Sequence, residues 1–157
     1  MMLAFRKICA VVALVLIPLG ATAGETVLTF THAGEQKALD MAALQDMESV
    51  EFETTTTWTD GVQVFAGVPL SVFLGTYGVT DGTLRATAIN DYAVEIPVSD
   101  AVEGGPIIAY LRNGEPMSVR DKGPLWIVYP YDANPDYQSE VIYSRSIWQL
   151  DRLEAIE

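Results

Sequence analysis

Three basic side chains, Arg120, Lys122 and Arg145, sit beside the most aromatic stretches of a strongly acidic chain. A guanidinium grips a carboxylate or phosphate through two parallel hydrogen bonds, and a cation cluster in an acidic protein focuses a small anion. Around these cations stand Trp58, Asp60, Asn90, Asp91, Tyr92, Trp126, Tyr129, Tyr131, Tyr143, Trp148 and Gln149. Aromatic walls with a few polar groups make small-ligand pockets. The contacts expected of such a pocket are Trp58, Asp60, Asn90, Asp91, Tyr92, Arg120, Lys122, Tyr131 and Arg145. Each has a plainer alternative. The cations can pair with Asp121, Asp91 or Asp60. Trp126 and Trp148 lie in strand-like patterns and can serve as core, and Asn90-Asp91-Tyr92 can be a tight turn. Trp58 lies between a threonine run and Asp60-Gly61, a loop position open to either role.

Other chemistries find little support. His32 is the only histidine, and no Gly-x-Ser-x-Gly is present, so a nucleophilic triad lacks its parts. The one cysteine, Cys9, leaves no zinc pattern. The acidic loop around Asn134-Pro135-Asp136 lacks the ligand spacing that holds calcium tightly. The formal charge is −12, which repels nucleic acid and anionic lipid, since both need clustered Lys and Arg.

The elements that must position these residues begin after an export signal. Arg6 and Lys7 precede an apolar run from Ile8 to Leu19, and Ala21-Thr22-Ala23 offers small residues for cleavage. The run is shorter than the roughly 20 apolar residues of a membrane span. No twin-arginine pair is present, so general secretion to the periplasm is expected, with no stable membrane insertion after cleavage. Residues 1–23 are therefore read as a signal peptide and 24–157 as one domain. Cleavage removes Cys9, so no disulfide can form. It also takes Lys plus Arg from 9 to 7 against 21 Asp plus Glu, and the charge to −14.

Glu25–Thr31 alternates polar and apolar residues, as a half-buried strand does. Asp40 suits the cap of a helix over Met41–Met47. Val50–Thr57 and Val62–Phe65 read as strands around an Asp60-Gly61 turn. Pro69 fits a first helical position, Leu70, Phe73, Leu74 and Tyr77 form one apolar face, and Gly78 ends the helix. Further strands are expected at Leu84–Ile89, Ala93–Ile96, Ile107–Leu111, Leu125–Tyr129, Ile147–Leu150 and Leu153–Ile156. Asn113-Gly114 predicts a hairpin joining Ile107–Arg112 to Glu115–Val119. Many short strands with two or three short helices predict an α+β domain dominated by strands; a pure β-sandwich is the alternative.

Four segments in order carry a family pattern: Phe65-Ala-Gly-Val-Pro-Leu70, Asn90-Asp-Tyr-Ala-Val-Glu-Ile-Pro97, Lys122-Gly-Pro-Leu-Trp-Ile-Val-Tyr-Pro130 and Ser146-Ile-Trp-Gln-Leu-Asp-Arg-Leu-Glu154. Together they resemble the molybdopterin-binding domain of the sulfite oxidase family of oxidoreductases. Thr56-Thr-Trp-Thr-Asp-Gly61, Asn90-Asp-Tyr92 and Lys122 to Tyr131 are similar to the short, secreted, stand-alone proteins of that superfamily. The resemblance implies the sulfite oxidase fold as a mixed sheet domain, and a molybdopterin cofactor.

It also exposes a departure. The thiolate by which the family binds molybdenum, counted back from Phe65 or Trp58, falls on Thr54 or Thr55. A threonine hydroxyl is far less acidic than a thiol and is a poor ligand for such a metal. The family holds the pterin phosphate with several cations, and few are available here. No cofactor is therefore expected, and molybdopterin rests on the resemblance alone. The expected role is a periplasmic binding module for a small anionic ligand, or for a membrane-bound sensor or other partner protein. The competing role is a molybdopterin-dependent oxidoreductase with atypical metal coordination. A third is a protein whose business is an exposed apolar surface.

Overall fold

The computed structural model describes residues 24–156, and the expected signal peptide lies outside them. Strand β1 (Thr26–His32) sends Leu28 and Phe30 inward, as its alternation predicts. It turns into β2 (Glu35–Asp40), a strand absent from the sequence reading. Glu35, Gln36, Lys37 and Ala38 are all exposed and only Leu39 turns into the core, so β2 has no apolar period to betray it. Charged residues on an outer strand discourage edge-to-edge pairing. Asp40 then caps helix α1 (Met41–Gln45), its carboxylate accepting from the Ala43 amide at 2.8 Å.

Strand β3 (Val50–Thr54) pairs with β4 (Gln63–Pro69). Strand β3 ends three residues earlier than expected, because the Thr55 amide leaves the ladder for the Asp132 carboxylate at 2.6 Å. Strand β4 runs straight into helix α2 (Leu70–Thr76), so Pro69 is its N-cap rather than its first residue. Helix α2 buries Leu70, Phe73 and Leu74 and stops at Gly78, whose φ is +73°. Strands β5 (Thr83–Ala88) and β6 (Ala93–Pro97) form a hairpin through Asn90-Asp91. Strand β7 (Ile107–Arg112) turns through Asn113 (φ +53°) and Gly114 (φ +79°) into β8. That hairpin was expected, but β8 is only Glu115–Pro116. Pro116 has no amide for the ladder, and Met117 turns into the core. Strand β9 (Trp126–Val128), helix α3 (Glu140–Arg145) and strand β10 (Leu150–Ile156) complete the chain. The two C-terminal strands expected from sequence are one, preceded by a single bridge between Trp148 and Trp126.

Two sheets result. One has the order β2-β1-β10-β5-β6, with β1 and β10 parallel and the other pairs antiparallel. The other has the order β3-β4-β7-β8, with β9 also on β7, all antiparallel. Both sheets supply one shared apolar core, in which Trp126, Tyr129, Tyr131, Phe30, Phe65 and Phe73 are the bulkiest members. This is a strand-dominated α+β domain with two sheets and few helices. Strands β4 and β7 approach closely at Gly67, where an added Cβ would lie 2.1 Å from the Ile108 carbonyl oxygen.

Candidate functional site

The loop between β3 and β4 seats Trp58. Thr54 is buried, and its hydroxyl donates to the Thr55 carbonyl and accepts from the Asp132 amide, both at 3.2 Å. The Thr55 amide and hydroxyl donate to the two Asp132 carboxylate oxygens at 2.6 and 2.7 Å. These donors, the amide first, hold the Asp132 carboxyl below the usual carboxylate range. The Thr56 hydroxyl accepts from the Trp58 amide at 3.1 Å and is 2.8 Å from the Thr59 hydroxyl, a local turn that fixes Trp58.

The Trp58 indole meets four rings edge to face: Trp148 at 5.5 Å, Tyr143 at 5.7 Å, Trp126 at 5.9 Å and Tyr131 at 6.2 Å between centroids. Behind it, Trp126 donates to the Ser146 carbonyl at 3.2 Å, and Tyr131 donates to the Ser146 hydroxyl at 2.7 Å. Ser146 passes its own proton to the Ile142 carbonyl at 2.8 Å. Burial pushes the Tyr131 hydroxyl up to about 12.

Against this cluster opens a cavity of about 360 Å³, lined by Trp58, Ala88, Asn90, Tyr92, Tyr143, Ser144, Ser146, Ile147, Trp148 and Gln149. Asn90 and Tyr92 come from the β5–β6 turn, Tyr143 and Ser144 from α3, and Trp148 and Gln149 from the approach to β10. The wall is tied down. The Asn90 side-chain carbonyl accepts from the Tyr92 amide at 3.2 Å. Gln149, at φ +53°, donates its amide to the Lys122 carbonyl at 3.0 Å and its side-chain nitrogen to the Val119 carbonyl at 2.7 Å. Trp58 also borders a more open polar depression of about 500 Å³, lined with it by Thr57, Thr59, Asp60, Gln63 and Arg112.

The structure gathers part of the expected set. Trp58, Asn90 and Tyr92 line the first cavity, Asp60 and Trp58 the depression. Asn90-Asp91-Tyr92 is both the tight turn and a cavity wall, with Asp91 at φ +67° ion-paired to Arg152 at 2.7 Å. Tyr131 lines a smaller hollow of about 180 Å³ with Thr55 and Asp132.

The three cations do not meet. Arg145 donates to Asp100 at 2.8 Å, and Tyr129 donates to the same carboxylate oxygen at 2.8 Å. Lys122 holds its ammonium 4.7 Å from the Trp148 centroid. Arg120 is exposed on a short 3-10 turn and lines none of these cavities. Their sequence neighbours are motif-like, but Arg145 is held by Asp100, Lys122 lies over Trp148, and none of the three lines the cavity.

Sequence reasoning missed Ser144, Ser146 and Arg112. The first two follow from recognising α3, whose signal is Ser139 capping the Ile142 amide at 3.4 Å. Among the described residues, no group of three or more His, Cys, Asp or Glu side chains is placed to hold a metal ion.

No family model and no curated protein matches this chain. Among solved structures it is similar to the sulfane dehydrogenase SoxCD from Paracoccus pantotrophus, with a TM-score of 0.60 and 17% sequence identity. The match covers 82% of this chain and 37% of that one, so the chain spans well under half of the protein it resembles. At that identity the likeness is one of fold.

Proposed function

We propose that the chain is a periplasmic domain with the sulfite oxidase-type molybdopterin fold that works as a small-ligand-binding module without the usual molybdenum-ligating cysteine. The fold likeness to a dehydrogenase supports the first half of this reading, in keeping with the motif order in the sequence. The cavity beside Trp58 carries the second half. It is concave and aromatic, with a few fixed polar groups, which is how small-molecule sites are built.

The side chains present do not fit the molybdopterin group. No cation lines the cavity to meet a phosphate. Arg145, the best-placed guanidinium by sequence, is held by Asp100. At the position of the family thiolate, both hydroxyls are bound within the protein, Thr54 to its neighbours and Thr55 to Asp132. Metal and cofactor analysis of protein purified from its native compartment tests the reading. Protein free of molybdenum and pterin is expected; stoichiometric molybdenum with pterin refutes it.

A further inference from the structure

The second hollow beside Trp58 holds one anion and one cation, Asp60 and Arg112. They do not neutralise each other. Among the described residues the ion pairs use Lys37, Arg145 and Arg152, and leave Asp60 and Arg112 out. Glu115, which stands opposite Arg112 across the β7–β8 pair, forms no ion pair with it either. A lone anion in this hollow would be repelled by Asp60 and a lone cation by Arg112. A ligand that carries both signs satisfies both.

The local contacts hold the two charges close. Gln63 donates to the Asp60 carbonyl at 2.8 Å and accepts from the Asn113 side-chain nitrogen at 3.0 Å, and Asn113 follows Arg112. One glutamine amide therefore spans from the backbone of Asp60 to the residue next to Arg112. Asn113 is fixed in turn, because its side-chain carbonyl accepts from the Val64 amide at 2.9 Å. Arg112 stands opposite Phe65 in the β4–β7 register, which puts both side chains on one face of the sheet. On that face Phe65 meets Trp126, and Trp126 meets Trp58. Trp58 is the one large apolar surface of the hollow.

We propose that this depression takes a free α-amino acid with an apolar side chain. The Arg112 guanidinium grips the α-carboxylate, the Asp60 carboxylate accepts from the α-ammonium, and the side chain lies on Trp58. An α-amino acid carries its two charges on one carbon, a separation suited to two charged side chains rooted one glutamine apart. The site is separate from the cavity that carries the binding-module reading, whose walls hold no charged side chain. It puts a zwitterion in place of the small anion expected from sequence.

The test is a titration of the isotope-labelled protein with L-leucine, followed by two-dimensional NMR of the indole N–H signals. The chain has three tryptophans, and they report differently. Trp58 lines the depression, Trp148 lines only the first cavity, and Trp126 is buried with its N–H bound to Ser146. Leucine is expected to shift the Trp58 signal most, with a dissociation constant below about 1 mM. N-acetyl-L-leucine lacks the ammonium and L-leucinamide lacks the carboxylate. Each is expected to bind about 10-fold more weakly or worse, the loss of one charged hydrogen bond. Glycine, with no side chain to cover the indole, is expected to bind about 5-fold more weakly or worse. Asp60→Asn should weaken leucine about 10-fold and abolish its advantage over N-acetyl-L-leucine. Arg112→Gln should weaken it as much and abolish its advantage over L-leucinamide.

Equal affinity for leucine and either blocked form overturns the two-charge site. Glycine as tight as leucine overturns the apolar side chain. A shift of Trp148 without one of Trp58 moves the ligand to the first cavity and overturns the assignment, as does no response to leucine. If a variant fails to fold, the four ligands on the unaltered protein still decide. Molybdenum with pterin in the native protein would refute the binding-module reading and leave these outcomes as they stand.

Discussion

Replacing Arg145 by Met separates a structural arginine from a ligand-binding one. Arg145 and Asp100 have side chains 22% and 17% exposed, with Nη1 and Oδ2 at 2.8 Å. Removing the guanidinium leaves Asp100 mostly desolvated with Tyr129 as its remaining side-chain donor. An exposed ion pair contributes at most about 1 kcal/mol, whereas breaking a fully buried one costs about 3–5 kcal/mol. At roughly one-fifth exposure the expected loss is about 2 kcal/mol. With a urea dependence of about 2 kcal/mol per molar for a chain of this size, the unfolding midpoint should fall by about 1 M. Asp100→Asn should cost a similar amount. The double variant should cost less than the sum by about 1–2 kcal/mol, because the two groups share one contact. The assay is urea unfolding followed by circular dichroism for the four corners of the cycle. An Arg145→Met protein that unfolds at the wild-type midpoint but loses affinity for cavity ligands would refute this assignment. It would return Arg145 to the binding role its sequence context suggested.

Two further perturbations test the frame around the site. Gly67→Ala would place a methyl 2.1 Å from the Ile108 carbonyl, a backbone atom that cannot rotate away. The β4–β7 pair must then separate, and a loss above about 3 kcal/mol is expected in urea unfolding. Tyr131, with its hydroxyl pushed up to about 12, keeps its proton in the folded state past the ordinary value of 10.0. Its stabilising contribution is therefore complete below about pH 10 and is lost as pH rises from there towards 12. Two units at 1.36 kcal/mol each put the loss at about 3 kcal/mol. Burial also raises Tyr129, Tyr77 and Tyr137, so Tyr131→Phe should make the alkaline fall in denaturation midpoint shallower without abolishing it, and an unchanged pH profile would contradict the assignment.

What was legible in the sequence is what rests on local rules. Leu28 and Phe30 show β1 because strand alternation shows a buried face. Asp40 shows α1 because a cap acts on an amide three residues away. Asn113-Gly114 shows its turn because both residues must take positive φ. Strand β2 was illegible because an outer strand with charged residues on both faces has no apolar period. The early end of β3 was illegible for another reason. It depends on Asp132, 77 residues from Thr55, and no local pattern announces such a contact. Site residues followed the same division. Trp58, Asn90 and Tyr92, which share one cavity wall, stood out in the sequence because loop aromatics and turn residues are conspicuous. The cations were grouped by sequence neighbourhood, yet Arg145 lies in the last turn of α3 and finds an acid 45 residues back.

Thr54 and Thr55, where the resemblance in the sequence expected a thiolate, have a structural role of their own. Thr54 and Thr55 join the end of β3 to Asp132, just beyond the buried Tyr131. That join closes the base of the loop that carries Trp58. A thiol at Thr54 would be a poor acceptor for the Asp132 amide, and one at Thr55 would be a weak donor to the carboxylate. Either exchange would loosen the indole against its four ring partners. The hydroxyls are thus integral to the aromatic wall. A cavity whose wall is fixed before a ligand arrives loses little affinity to ordering. Thr54 and Thr55 thus fix the loop on which the proposed ligand site depends.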